Sequence, residues 1–150
     1  MEHSFGTLAD FDKPPYLINC KDELQKEGFR KGIFHTDSDS LIFVASDAMA
    51  HYIIMMYEVA SEDTFRQELD EAESKCSKNS NYIKMARTLH FNDFEKDVIN
   101  KLVNTIGHPA NFQRHIQSLL RKGLIAYDDY SLAMFYKKQN NGTDKNVRHK

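Results

Sequence analysis

The hydrophobic and polar positions along the chain predict two apolar strands separated by a helical region. The first strand, Leu41–Ser46, has no polar residue before its last position, which is typical of a strand covered on both faces. A turn-forming cluster of Asp and Ser residues at 37–40 separates it from another β-type run, Phe29–Thr36. We therefore predict a β-hairpin over residues 29–46.

The helical region begins directly after the first strand. Residues 48–59 are apolar on nearly every side, as in a helix that is buried in the body of a fold. Residues 62–75 carry only a narrow apolar stripe, which predicts a peripheral helix. A loop is expected around residues 78–80, and a further helix is expected over residues 82–89.

Two more helices and a closing strand complete the predicted order. Apolar residues that recur at spacings of four predict a helix within residues 91–106. Pro109 suits the first turn of the next helix, and Gly123 suits the position just after its end. The apolar run Ser131–Tyr136 then predicts the last strand.

Composition and charge indicate one domain of ordinary size. The chain has 150 residues, and its 41% hydrophobic content, with ten Phe and seven Tyr, is sufficient for one core. A formal net charge of −2 gives no general attraction to nucleic acid or to an anionic membrane. Residues 137–150 are polar and basic, which predicts a disordered tail. We predict an α+β domain over residues 1–136, in which an antiparallel sheet packs against a helical layer.

The sequence shows no targeting or membrane signal. The N-terminal residues carry acids, a Gly and two prolines where a secretory signal needs an apolar segment. No apolar run approaches the roughly 20 residues that a membrane-spanning helix needs. Cys20 and Cys76 lack the spacing of a metal or redox motif, so free thiols in a reducing compartment are the simplest interpretation. These features predict a cytoplasmic protein.

Acidic residues stand beside both strands of this outline. Asp47 follows the first strand where a helix begins, and Asp128 and Asp129 precede the last strand. A carboxylate at the end of a buried strand is well placed to bind a hard cation. Structural roles explain the same residues, because Asp caps helix N-termini and Asp pairs are common in turns before strands. The residues alone leave a metal site and ordinary capping both open.

The order of these motifs resembles the C-terminal half of the bacterial-like metal-dependent protein phosphatases of the 2C type. In that family an apolar strand ends in a motif such as Ser-Asp-Gly or Thr-Asp-Ala, several helices follow, and an Asp-Asn or Asp-Asp motif starts the last strand. The matching residues here are Asp47 in Ser-Asp-Ala and Asp128 in Asp-Asp. The resemblance covers about residues 16–136, and it implies part of the α/β sandwich of that family.

The resemblance implies that Asp47 and Asp128 bind a pair of Mg²⁺ or Mn²⁺ ions. In the family these ions activate a water that attacks phosphoserine or phosphothreonine in a phosphoprotein substrate. The family also needs a motif of the Asp-Gly-His-Gly kind and an early acid, and neither occurs in this chain. The chain therefore resembles a truncated hydrolase domain that is inactive alone and is completed by an N-terminal half or by a homodimer partner.

Two alternatives come from other classes of protein. Residues 91–138 can be interpreted as a winged-helix nucleic-acid-binding module, with Arg114 and Arg121 on its second helix and a wing formed by residues 123–129 and 130–138. The overall acidity of the chain counts against a nucleic-acid partner. A non-catalytic interaction or dimerisation domain is the other alternative, because half of a β-sandwich exposes an apolar sheet face.

Overall fold

The computed structural model describes residues 32–33, 35–37, 40–61, 67, 70–71, 78–89 and 93–136. These residues form an α+β structure, in which a two-stranded antiparallel sheet lies beside a set of helices. The elements in chain order are β1 Leu41–Ala45, α1 Asp47–Ser61, α2 Lys78–Thr88, a π-helical turn Glu95–Ile99, α3 Asn100–Val103, α4 Pro109–Arg121 and β2 Leu132–Tyr136. None of these helices is long and apolar enough to cross a membrane.

The sheet joins two distant parts of the chain. β1 and β2 are antiparallel, in a register that pairs Leu41 with Tyr136 and Ala45 with Leu132. The predicted hairpin is wrong where the structure describes it, because residues 32, 33, 35 and 36 are not in a strand. The turn-forming residues 37–40 favoured pairing of β1 with the segment before them, but β1 pairs with the continuous apolar run of β2 instead. Tertiary pairing therefore overrides the local preference.

The two faces of the sheet are covered unequally. Burial alternates along β1, where Ile42 and Val44 are 46% and 61% exposed and their neighbours are half-buried. Phe43 packs on the hydrophobic core, as Met134 of β2 does. The prediction that both faces of β1 are buried is therefore wrong for the described residues. The helices that the structure describes lie on one side of the sheet only.

The first helix, α1, forms the centre of the hydrophobic core. Nine of its fifteen residues are buried, which confirms the prediction of an internal helix. The remaining buried core residues come from the later helices and from the segment after α4, and they are Ile83, Ala86, Val98, Leu102, Ile116, Leu119, Leu124 and Ile125. This core supports the first turn of α1, where Asp47 stands.

Two predicted helix boundaries differ from the observed ones. Residues 78–80, predicted as a loop, form the first turn of α2, because the burial of Ser80 (1% exposed) outweighs its turn preference. The helix predicted within residues 91–106 consists of the π-helical turn followed by the short α3. It ends before residues 104–107, which form a turn.

Both ends of α4 confirm the sequence prediction. Pro109 is its first residue, where a proline loses no helical hydrogen bond. Gly123 follows the end of the helix with φ of +65°, a left-handed conformation that glycine adopts without strain. The Leu124 N–H donates to the Leu119 carbonyl oxygen at 3.0 Å, which closes the helix and directs the chain toward β2.

Several predictions fall outside the described residues. They concern the N-terminal residues 1–31 and the tail at residues 137–150. Within the predicted peripheral helix, only Gln67, Asp70 and Glu71 are described, and their backbones are helical.

Candidate functional site

The two acidic motifs meet at one end of the sheet. Beyond the last register pair, the Ser46 N–H donates to the Ser131 carbonyl oxygen at 3.0 Å, so the pairing of β1 with β2 continues by one residue. Asp47 directly follows Ser46, and Asp128 shortly precedes Ser131. The antiparallel pairing therefore brings both candidate ligands, Asp47 and Asp128, to the same end of the two strands. We call this end of the sheet the acidic edge.

The Ser46 hydroxyl joins the two motifs directly. Its Oγ donates to the Asp129 carbonyl oxygen at 2.9 Å and accepts a hydrogen bond from the Ser131 N–H at 3.2 Å. Ser46 precedes α1, a position from which Ser commonly caps a helix. Its side chain instead binds the turn before β2.

Each candidate metal ligand uses one carboxylate oxygen in a local hydrogen bond. Asp47 Oδ1 accepts from the Ala48 N–H at 2.8 Å, and Asp128 Oδ1 accepts from the Asp129 N–H at 2.8 Å. Both residues are exposed. Within the described part of the chain, the second oxygen of each carboxylate has no hydrogen bond and no ion pair. The local bonds orient the two groups and leave one oxygen of each open to a ligand.

Both residues make local hydrogen bonds of a structural kind. Asp47 is the first residue of α1, and its carboxylate accepts from the free Ala48 N–H of the first turn, where the partial positive charge of a helix N-terminus stabilises a carboxylate. The Asp129 N–H donates to the carboxylate of its neighbour Asp128, a local bond within the turn before β2. Because each contact occupies a single oxygen, these local bonds and metal binding are compatible at both residues.

A tyrosine that the sequence analysis did not single out also binds the acidic turn. The Tyr130 hydroxyl accepts from the Asp128 N–H at 3.2 Å and donates to the Ala126 carbonyl oxygen. The turn is thus bonded by the hydroxyl groups of two residues, Ser46 and Tyr130. The sequence signal for this arrangement is a hydroxyl-bearing residue directly after an Asp pair.

A small pocket lies beside this edge. It is lined by α1, α2 and the segment that leads to Asp128, through Ala48, His51, Tyr52, Met55, Tyr82, Leu124, Ile125 and Ala126. The pocket has room for little more than one water molecule. A ligand as large as a phosphorylated side chain does not fit into it.

The oxygen donors at the edge suit Mg²⁺ or Mn²⁺ in kind but not in number. Carboxylate oxygens are the side-chain ligands that these hard cations prefer. Among the residues that the structure describes, no group of three or more His, Cys, Asp or Glu side chains is placed to hold a metal ion. At this edge, Asp47 and Asp128 can supply two carboxylate ligands.

Two polar rings meet between α1 and α4, where Tyr52 is buried and His115 is half-buried. The rings of Tyr52 and His115 meet edge to face with centroids 6.5 Å apart, and neither Tyr52 Oη nor His115 Nε2 has a hydrogen-bond partner among the described residues. Burial raises the pKa of Tyr52, and the charge of Asp97 adds to the rise. Burial lowers the pKa of His115, and Lys101 and Lys122 lower it further.

The hairpin of the winged-helix alternative is not formed in the described residues. Residues 124–131 contain no strand, and β2 pairs with β1, so the wing predicted after α4 is not formed there. Arg114 and Arg121 each donate to a carbonyl oxygen in the preceding turn of α4. The part of this segment that the structure describes therefore offers a helix without a wing.

Comparisons of the chain with protein-family models, with curated proteins and with solved structures found no match. Among the residues that the sequence singled out, Asp47 and Asp128 are brought to one edge of the sheet. No wing accompanies Arg114 and Arg121 in the described residues.

Proposed function

We propose that the chain is part of a metal-dependent protein phosphatase domain of the 2C type, in which Asp47 and Asp128 are metal ligands. The observation that supports this is the pairing of β1 with β2, which joins the Ser-Asp-Ala and Asp-Asp motifs at one edge. The oxygen that each carboxylate leaves without a partner there supports it further.

In this proposal the two carboxylates hold Mg²⁺ or Mn²⁺ at the edge of the sheet. When bound, the ions supply an activated water and neutralise charge on the phosphoryl oxygens of phosphoserine or phosphothreonine. The exposure of both carboxylates suits a protein substrate, because a phosphorylated segment can approach an open edge more easily than a closed cavity.

The chain alone is not expected to catalyse the hydrolysis. A dinuclear centre needs bridging ligands and a shaped site, whereas this edge offers two carboxylates. An N-terminal half or a second copy of the chain would supply the missing acids. Catalysis therefore belongs to the completed domain, while metal binding can be measured on this chain.

Isothermal titration calorimetry with Mn²⁺ tests the proposal. We expect saturable binding, and Asp47→Asn and Asp128→Asn should each weaken it by about tenfold or more, because each removes a charged ligand. Asp93→Asn is the matched control. Asp93 is also exposed and accepts a local hydrogen bond, from the Lys96 N–H at 3.0 Å, which an Asn oxygen preserves.

Two results would contradict the metal proposal. One is the absence of saturable Mn²⁺ binding by the wild-type chain, and the other is an equal loss of affinity in all three variants. Circular dichroism spectra of the variants should match that of the wild-type chain, which separates lost ligands from lost folding.

An interaction domain is the second candidate, and the open face of the sheet favours it. Ile42, Val44 and Phe135 are 46%, 61% and 57% exposed, and the strand register places them on one face. Adjacent apolar side chains exposed in this way mark contact surfaces. In this candidate the acidic edge binds no metal.

Sedimentation velocity over a series of concentrations tests the interaction candidate. If the open face binds a second copy, Val44→Asp should convert the dimer to monomer. The control Val103→Asp changes an apolar residue that is 39% exposed on α3 and should leave the dimer intact. A wild-type chain that stays monomeric at every concentration would contradict self-association through this face.

A further inference from the structure

We propose that Ser46 is a positioning residue that fixes the Asp128–Asp129 turn against Asp47. The consequence for metal binding rests on the proposed function, because Ser46 positions one proposed metal ligand, Asp128, against the other, Asp47. The structural part rests on three hydrogen bonds, made by the N–H and the hydroxyl of Ser46 to the backbone of Asp129 and Ser131.

The Ser46 hydroxyl acts as a donor and an acceptor at the same time. A hydroxyl has one hydrogen to donate and two lone pairs, so one Oγ can bond a carbonyl oxygen and an N–H together. Here those groups belong to Asp129 and Ser131, which flank Tyr130. The hydroxyl therefore holds the backbone around residue 130 and fixes how the chain runs between Asp128 and β2.

The helix α1 does not use this hydroxyl. The Ala48 N–H is already bonded to the Asp47 carboxylate, and the Ser46 carbonyl oxygen accepts from the Ala50 N–H at 2.8 Å. Asp47 thus satisfies one of the free N–H groups of the first turn, as a Ser before a helix commonly does. This leaves the Ser46 side chain for the turn, so that it acts on the site through the position of Asp128.

Ser40, just before the opposite end of β1, provides a matched control. Its hydroxyl also donates one bond and accepts one, to Asp37 Oδ1 at 2.8 Å and from the Asp37 N–H at 2.9 Å. Both partners lie three positions away, whereas the Ser46 hydroxyl binds groups 83 and 85 positions away. Ser40→Ala therefore removes equivalent bonds without touching the contact between the motifs.

Amide hydrogen exchange measured by NMR tests the structural part. In Ser46→Ala the Ser131 N–H loses its acceptor, so we expect its exchange to become about tenfold faster. Ser46→Thr retains a hydroxyl and should stay close to the wild-type rate, and Ser40→Ala should leave the rate unchanged. Unchanged protection of the Ser131 amide in Ser46→Ala would overturn the proposal.

Mn²⁺ affinity measured on the same variants tests the functional part. We expect Ser46→Ala to weaken binding about fivefold, with rescue in Ser46→Thr, because a misplaced carboxylate is a poorer ligand. Equal affinity in Ser46→Ala and the wild-type chain would overturn the positioning role. If the wild-type chain binds no Mn²⁺, the proposed function fails, while the exchange rates still decide whether Ser46 holds the turn.

Discussion

The two faces of the β1–β2 sheet differ in cover, although the same five residue pairs build both. One face presents Phe43 and Met134 to the helical core, whereas the opposite face presents Val44 and Phe135 in exposed positions. Both faces are apolar, so composition does not distinguish them, and the position of the helices does. Both faces of the sheet are therefore suited to burial, and the described helices bury only one of them.

The largest effect that tests this comparison comes from Phe43→Ala, with Phe135→Ala as its matched control. Phe43 is half-buried against the core, so we expect its truncation to lower the free energy of unfolding by about 2 kcal/mol. Phe135 is 57% exposed on the other face, and its truncation should cost less than about 0.5 kcal/mol. Urea denaturation measures both, and equal losses would mean that both faces are covered.

A smaller effect is expected beneath the covered face, at Tyr52. Its hydroxyl is buried without a hydrogen-bond partner among the described residues, which is an unfavourable state for a polar group. Tyr52→Phe removes the hydroxyl and keeps the ring, so we expect the free energy of unfolding to rise by up to about 1 kcal/mol. A loss of stability in urea denaturation would instead show that the hydroxyl is hydrogen-bonded.

The smallest effect is a pH dependence from His115, also in the helical layer. Burial, with Lys101 and Lys122, holds the pKa of His115 in the folded chain below its ordinary value of 6.5. As the pH falls through about 6.5, the unfolded chain takes up a proton that the folded chain does not, so stability decreases until the lower folded-state pKa is reached.

Thermal unfolding between about pH 7.5 and about pH 5 measures this dependence. The unfolding midpoint of the wild-type chain should fall more steeply with acid than that of His115→Gln, in which this titration is absent. Identical slopes for the two chains would show that His115 has no part in the acid sensitivity.

Local signals in the sequence predicted much of the helical layer correctly. The apolar surface of α1 required burial, and Pro109 and Gly123 marked the ends of α4 through their own backbone geometry. Residues 78–80 were mistaken for a loop, because the burial of Ser80 depends on the rest of the core. The turn preference of Ser80 alone could not indicate that it would be buried.

Long-range pairing was harder to predict. The turn signal at residues 37–40 favoured a local hairpin, whereas β1 pairs with β2 across the helical region. An apolar strand also does not indicate what covers it, which explains the wrong prediction for Ile42 and Val44. The order of the acidic motifs made Asp47 and Asp128 candidate metal ligands, which stays a prediction. The hydrogen bonds of Ser46 depend on the pairing and were not foreseen.

NMR line broadening by Mn²⁺ is the most direct test of the proposed metal-binding edge formed by Asp47 and Asp128. Because Mn²⁺ is paramagnetic, it broadens the signals of nuclei close to it. We expect substoichiometric Mn²⁺ to broaden the amide signals of Ala48 and Asp129 together, before that of Lys96 beside the control residue Asp93. Broadening at only one of the two motifs, or equally at Lys96, would contradict the proposal.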